Sequence, residues 1–132
     1  MATLTATLTL TSAAGDITDD ALALSVEDAL SVTSPQIGLS KVTATTTGAD
    51  TIIVPNLDAT RYLYIKNTGK NSAGSTITTD LKVEETDENW FSRLGPGEFL
   101  FVPLNADGGH LIQLETTGGN IVAEYAYWTK TS

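Results

Sequence analysis

Residues 2–12 read ATLTATLTLTS, with Leu4, Ala6, Leu8 and Leu10 on one side of the alternation and Thr3, Thr5, Thr7, Thr9 and Thr11 on the other. Successive side chains of a pleated strand point to opposite faces, so this period of two predicts a half-buried strand. No charge falls within it. Its backbone groups need partners wherever they are buried. Those partners belong to another copy of the chain, to a different protein, or to the chain's own sheet. Leu4, Leu8 and Leu10 are candidate interaction residues, since burying such a side chain is worth roughly 1.5–3 kcal/mol.

The next apolar stretch, DALALSVEDALSVT at 20–33, fits two patterns. Leu22, Leu24, Val26, Leu30 and Val32 alternate as in a strand, interrupted by Asp28. Leu22, Val26, Ala29 and Leu30 also fit a helical stripe, with Thr18 placed as an N-cap before Asp19 and Asp20. Ser, Val and Thr in the segment favour the strand.

After SPQIG at 34–38 the pattern becomes that of short strands and turns. KVTATTT (41–47) and TIIV (51–54) flank the short loop GAD, which suits a hairpin. RYLYIKN (61–67) sets Leu63 and Ile65 against Tyr62 and Tyr64. ITTDLKVEE (77–85), WFSRL (90–94), EFLFVPL (98–104), HLIQLET (110–116) and NIVAEYAYWTK (120–130) follow, with a turn at Gly95-Pro96-Gly97. Strands at this spacing predict an all-β fold, an antiparallel sandwich or barrel, and the expectation is a β-sandwich of jelly-roll-like form. Residues 1–35 are expected as an extended N-terminal β arm rich in Thr and Leu, and 36–132 as the sandwich domain.

Several strands are apolar on both faces. Phe99 and Phe101 oppose Leu100 and Val102, and Tyr125 and Tyr127 oppose Val122, Ala126 and Trp128. An antiparallel sheet normally wets one face, so such strands need a second cover. That cover is either an inner layer of the same chain or a neighbouring subunit. Aromatic residues are enriched at interface cores, which makes Tyr62, Tyr64, Phe99, Phe101, Tyr125 and Tyr127 candidates for an oligomer face.

Composition narrows the function. The chain has 132 residues, 22 of them Thr, and carries 7 basic against 16 acidic residues, a net charge of −9. Phosphate recognition needs clustered Lys and Arg, so neither a nucleic acid nor an anionic membrane is an expected partner. Without cysteine there is no disulfide, thiolate metal site or Cys nucleophile. The first residues lack the basic and continuous apolar regions of a signal peptide. No stretch approaches the apolar length of a helical membrane span.

No catalytic pattern emerges. His110 is the single histidine and follows Asp107-Gly108-Gly109, where a surface turn residue is expected. Asp16, Asp19 and Asp20 form one acidic loop, and Glu84, Glu85, Asp87 and Glu88 another. Neither matches the spacing of a calcium loop. The glycines mark turns, and none forms a phosphate-binding Gly-rich loop. Trp90 and Trp128 offer platforms for a sugar, or bury at strand ends. No enzyme activity, metal or cofactor is expected.

RYLYIKNTG, LGPGEFLFVPL and the terminal VAEYAYWTK together resemble small structural proteins of tailed marine and cyanobacterial bacteriophages. The resemblance covers most of 39–130. It implies a non-enzymatic virion component assembled in the host cytoplasm, a capsid decoration or cement protein. Such a protein binds the major capsid protein or another virion protein as a homo-oligomer, commonly a trimer. A tail or fibre subunit, or a carbohydrate-binding sandwich module for host recognition, is the alternative. An acidic inhibitor or nucleic-acid mimic is a third reading, although the charges are scattered over turns.

Overall fold

The computed structural model describes residues 2–16, 20–47, 51–86, 89–106 and 108–131, with the backbone alone at 34–37 and at Asn89. Nine strands run through these residues: β1 (Ala2–Ser12), β2 (Leu22–Ala44), β3 (Ile52–Val54), β4 (Arg61–Asn67), β5 (Leu81–Glu85), β6 (Asn89–Leu94), β7 (Phe99–Leu104), β8 (Ile112–Thr116) and β9 (Ile121–Lys130). They form two antiparallel sheets in a sandwich-like arrangement, one of order β1-β2-β9-β4-β7 and one of order β3-β8-β5-β6.

The segment 22–33 is strand, and β1 explains why. The register sets Leu4 against Leu30, Leu8 against Val26 and Leu10 against Leu24, so two alternating patterns match face for face. A helix over 20–33 would leave β1 without that partner.

β2 is 23 residues long, several times the usual strand of about 5–6 residues. Its first half pairs with β1, and from Val32 onward it pairs with β9. The ladder with β9 slips between Thr33 and Gln36, where Pro35 has no N–H to contribute, and again between Ile37 and Ser40. β2 therefore runs unbroken through the Ser34-Pro35 position at which the composition changes, bulging there instead of ending.

Residues 41–54 do not form the hairpin that the GAD loop suggests. β2 ends in the first sheet, whereas β3 lies in the second and pairs with β8, so the chain changes layer between them. Each side of the crossing is tied to the β8 region: Thr116 N donates to Thr45 O at 2.8 Å, and Leu114 N to Thr51 O at 2.9 Å.

Beyond β1 the pairings are nested. β2 pairs with β9, β3 with β8, β4 with β7 and β5 with β6. The pairings β4–β9 and β5–β8 complete the two layers. Leu63, Ile65, Ile121 and Ala123 of the first sheet pack with Ile53, Val54, Leu81, Val83, Ile112 and Leu114 of the second to form the core.

Asn67 joins the layers by hydrogen bonds. It is fully buried, its Nδ2 donates to Leu94 O at 3.0 Å and Thr79 O at 3.1 Å, and its Oδ1 accepts from Gly69 N at 2.9 Å. The Asn67→Ala variant leaves three backbone groups without these partners. At about 1–3 kcal/mol per stranded buried group, it is expected to lose more than about 2 kcal/mol in chemical denaturation. A loss comparable to that of an exposed Thr→Ala control would show that the tie carries no weight.

Candidate interaction surface

β1 and residues 22–31 of β2 form a ribbon of two strands, with β1 at the edge of its sheet. One face carries Leu4, Ala6, Leu8, Leu10, Leu24, Val26 and Leu30, interrupted by Asp28. Leu8, Leu10, Leu24 and Val26 are 42–54% exposed, whereas Leu4 and Leu30 are half-buried. The other face carries threonines and Glu27, whose carboxylate accepts a hydrogen bond from Thr7 Oγ1 at 3.3 Å. A two-stranded ribbon is marginal alone in water, and this one leaves much of its apolar face uncovered.

The second exposed apolar feature lies on the outer face of the same sheet. Register places Tyr62 and Tyr64 of β4 between Phe101 and Pro103 of β7 on one side and Ala126 and Trp128 of β9 on the other. Tyr62 and Phe101 stack with centroids 6.1 Å apart and planes 9° from parallel. The Tyr64 hydroxyl donates to Glu124 Oε1 at 3.0 Å. Burial first, and then that carboxylate, push the Tyr64 phenol upward, so it keeps its proton. Phe99 and Phe101 remain 60% and 40% exposed. A groove of about 690 Å³ separates this patch from the ribbon, and Leu4, Leu8, Val26, Tyr64, Phe101 and Trp128 line it.

The candidate residues divide between the two sides of the sheet. Leu4, Leu8, Tyr64, Phe99 and Phe101 border the groove, and Tyr62 stacks on Phe101. Leu10 lies on the ribbon's apolar face outside that lining. Tyr125 and Tyr127 point inward: Tyr125 packs on the core, and Tyr127 is buried beneath the Arg61 guanidinium, 5.4 Å from its ring centroid. Alternation could not separate inside from outside on β9, since both of its faces are apolar. Val26 and Trp128 join the groove. Their signal was apolar alternation, and it needed the fold to give it a direction.

The polar groups serve the scaffold. His110 Nδ1 contacts the Glu85 carboxylate. Glu84 is fully buried on β5, with Gln113 Nε2 donating to its Oε2 at 2.8 Å and Lys82 Nζ 3.8 Å from its Oε1. Lys82 also reaches Glu115 at 3.4 Å. Burial, reinforced by a hydrogen bond shared with Glu115, raises the Glu84 pKa, while that bond lowers the pKa of Glu115. Of the two carboxyls, Glu84 is the one that holds its proton to higher pH. Separated carboxyl pKa values are one mark of acid–base sites, but neither this groove nor a second of about 290 Å³ near Leu57, Phe91 and Leu104 is lined by Glu84 or Glu115. Among the described residues no three potential ligands gather as a metal site. Asp19, Asp87 and Glu88 of the two acidic loops lie outside the described residues.

The fold and this surface define a two-layer antiparallel β module in which an apolar hairpin and an aromatic patch flank one groove, with Leu39, Trp90 and Phe91 exposed elsewhere. Comparison with known protein families, curated proteins and solved structures finds no match.

The carboxyl pair yields a pH signature. The folded state holds the Glu84 proton to higher pH than the unfolded chain, whose ordinary value is near 4.5. Stability therefore falls as pH rises through the window above that value. Glu115 acts oppositely: its contribution is present above the ordinary value and is lost as pH falls through its lowered one. Glu84→Gln is expected to flatten the decline above pH 4.5. Parallel stability profiles for the two proteins in chemical denaturation would contradict the assignment.

Proposed function

We propose that this chain is a non-enzymatic structural protein of a tailed-phage virion, a capsid decoration or cement protein that attaches to its particle as a homo-oligomer. The carrying observation is the hairpin of β1 and β2, which offers Leu8, Leu10, Leu24 and Val26 to solvent beside the exposed Phe99 and Phe101. Exposed apolar surface at two adjacent features is the mark of a protein that works in contact with others. The nested pairings support a jelly-roll reading of the sandwich. Numbered after β1, one sheet runs first-eighth-third-sixth and the other second-seventh-fourth-fifth. Jelly rolls recur in capsid and lectin domains.

The resemblance of RYLYIKNTG, LGPGEFLFVPL and VAEYAYWTK to small phage structural proteins directs the choice towards the virion, and it implies a trimer. Attachment through many copies needs no deep pocket, because weak contacts combine through effective concentration. The major capsid protein, or another virion protein, is the partner on this reading.

A second reading, a carbohydrate-binding module for host recognition on a tail or fibre, draws on Trp90. It is 54% exposed and sits across from Glu84 in the ladder. Exposed tryptophan on a sheet face suits stacking on a sugar ring. Trp90→Ala would abolish glycan binding on this reading and leave particle attachment intact on the first.

The test is sedimentation of particles, followed by mass spectrometry and electron microscopy of the pellet. The chain is expected in the particle fraction, at regularly repeated surface positions. Leu8→Asp is expected to release it while the circular dichroism spectrum stays β-type, since the face could not bury an unpaired charge. Recovery of the native chain only in the soluble fraction would overturn the proposal.

A further inference from the structure

The sheet edges of this protein are not equally protected. A free edge strand displays unpaired N–H and C=O groups and recruits another strand unless something prevents it. β7 carries Pro103, β3 is three residues long and is followed by Pro55, and β6 carries Arg93. The far edge of β2 over residues 22–31, which pairs only with β1, carries Glu27 and Asp28. β1 has none of these devices. It is 11 residues long, without Pro or Gly and without charge, and it pairs with β2 in unbroken register.

We propose that β1 pairs antiparallel with β1 of a second copy about a two-fold axis at Thr7, joining two five-stranded sheets into one. This gives a specific contact to the homo-oligomer of the preceding reading and rests on its oligomeric part.

Three observations select a second copy as the occupant. The first is geometric. Residues opposite one another in an antiparallel pair share a face, and an axis at Thr7 overlaps the whole of Ala2–Ser12. Leu4 then faces Leu10, Ala6 faces Leu8, and Thr5 faces Thr9. Between Leu4 and Leu10 the apolar face of one ribbon continues into the other across the seam, with Asp28 one strand back on each side, and the threonine faces form a second continuous surface. Thr–Thr and apolar cross-strand pairs are favourable pairings.

The second observation is electrostatic. Two chains of net charge −9 repel, so a self-contact belongs where charge is absent. Across the joined ribbons the order at the axis is Glu27, Thr7, Thr7 and Glu27. At about 4.8 Å per strand, the two Glu27 backbones lie roughly 14 Å apart, so no like-charged residues are directly opposed across the seam.

The third is the narrowness of each ribbon. Leu8, Leu10, Leu24 and Val26 are half exposed on two strands, and four strands make the more stable unit.

Two-fold pairing gives an even number of chains and so parts from the trimer that the resemblance implies. Light scattering of the full-length protein at micromolar concentration should give twice 13.9 kDa. Thr7→Glu adds a carboxylate beside Glu27 and opposite its copy at an exposed position, and should halve the mass without changing the circular dichroism spectrum. The chain has no cysteine, so Thr7→Cys provides a single, conservative probe. Directly opposed residues lie about 4.5–5.5 Å apart, within the Cα range of a disulfide. Under an added oxidant, Thr7→Cys should give a covalent dimer on a non-reducing gel. Thr3→Cys should not, because the two Thr3 positions lie eight residues apart along the ladder, roughly 27 Å.

A monomer mass for the native chain overturns the proposal, as does Thr7→Cys that fails to cross-link. A trimer whose mass survives Thr7→Glu and falls with Phe101→Asp overturns it in favour of the aromatic patch, and the virion reading then stands. Even-numbered assembly of a chain that never sediments with particles supports the β1 contact while the virion reading falls.

Discussion

The antiparallel pairing of β2 with β9 holds this structure together. It brings residues 32–44 against residues 121–130 and closes a hairpin whose turn lies between β5 and β6. Closing so long a loop costs entropy that grows only slowly with length, but the cost precedes the contacts that offset it. Folding dominated by such distant pairings is expected to be slow. Every inner-face residue of β4 depends on that closure, because β9 lies between β2 and β4. Leu63 and Ile65 are fully buried only once β9 is in place beside them and the second sheet lies beneath.

Most strands were legible because the sequence alternates where one face is wet. β1, β4 and the turn at Gly95-Pro96-Gly97 follow directly from such local chemistry, with Gly97 adopting φ of 85°. What local chemistry does not encode is which sheet the chain enters after a turn. GAD between two β-rich runs reads as a hairpin, but β2 and β3 lie in different sheets, and only the pairing of β3 with β8 reveals it. SPQIG reads as a break, yet β2 absorbs Pro35 as a bulge because β9 continues alongside. The same limit governed the aromatic residues. Tyr62 and Tyr64 share an outer face with Phe101, whereas Tyr125 and Tyr127 fill the interior, and alternation alone fits either direction on β9.

Charge placement was the least legible property. A chain rich in carboxylates suggests that they all lie in solvent. Glu84 lies instead without exposed surface, held by Gln113 and Lys82. Arg61 is buried at the start of β4, donating to Thr129 at 2.6 Å and to Asp58 at 2.7 Å. Buried ionisable groups of this kind are tolerated because they are hydrogen-bonded and, for Arg61, paired with a carboxylate. Lys82 and Asp58 lie two and three residues from the groups they meet, but Gln113 and Thr129 come from strands distant in the chain and leave no sequence signature.

The length of β2 has a mechanical consequence. Its first half belongs to the projecting hairpin and its second half to the sandwich, with no flexible connection between them. A pull applied along the hairpin therefore travels down one continuous strand into the ladder with β9. There the force acts parallel to the strands, so the hydrogen bonds from Val32 to Ala44 resist together in shear and do not open one at a time. A load borne at the hairpin is thus delivered to the pairing that closes the roll. The bulge around Pro35 marks the weakest point along that line, where fewer bonds share it.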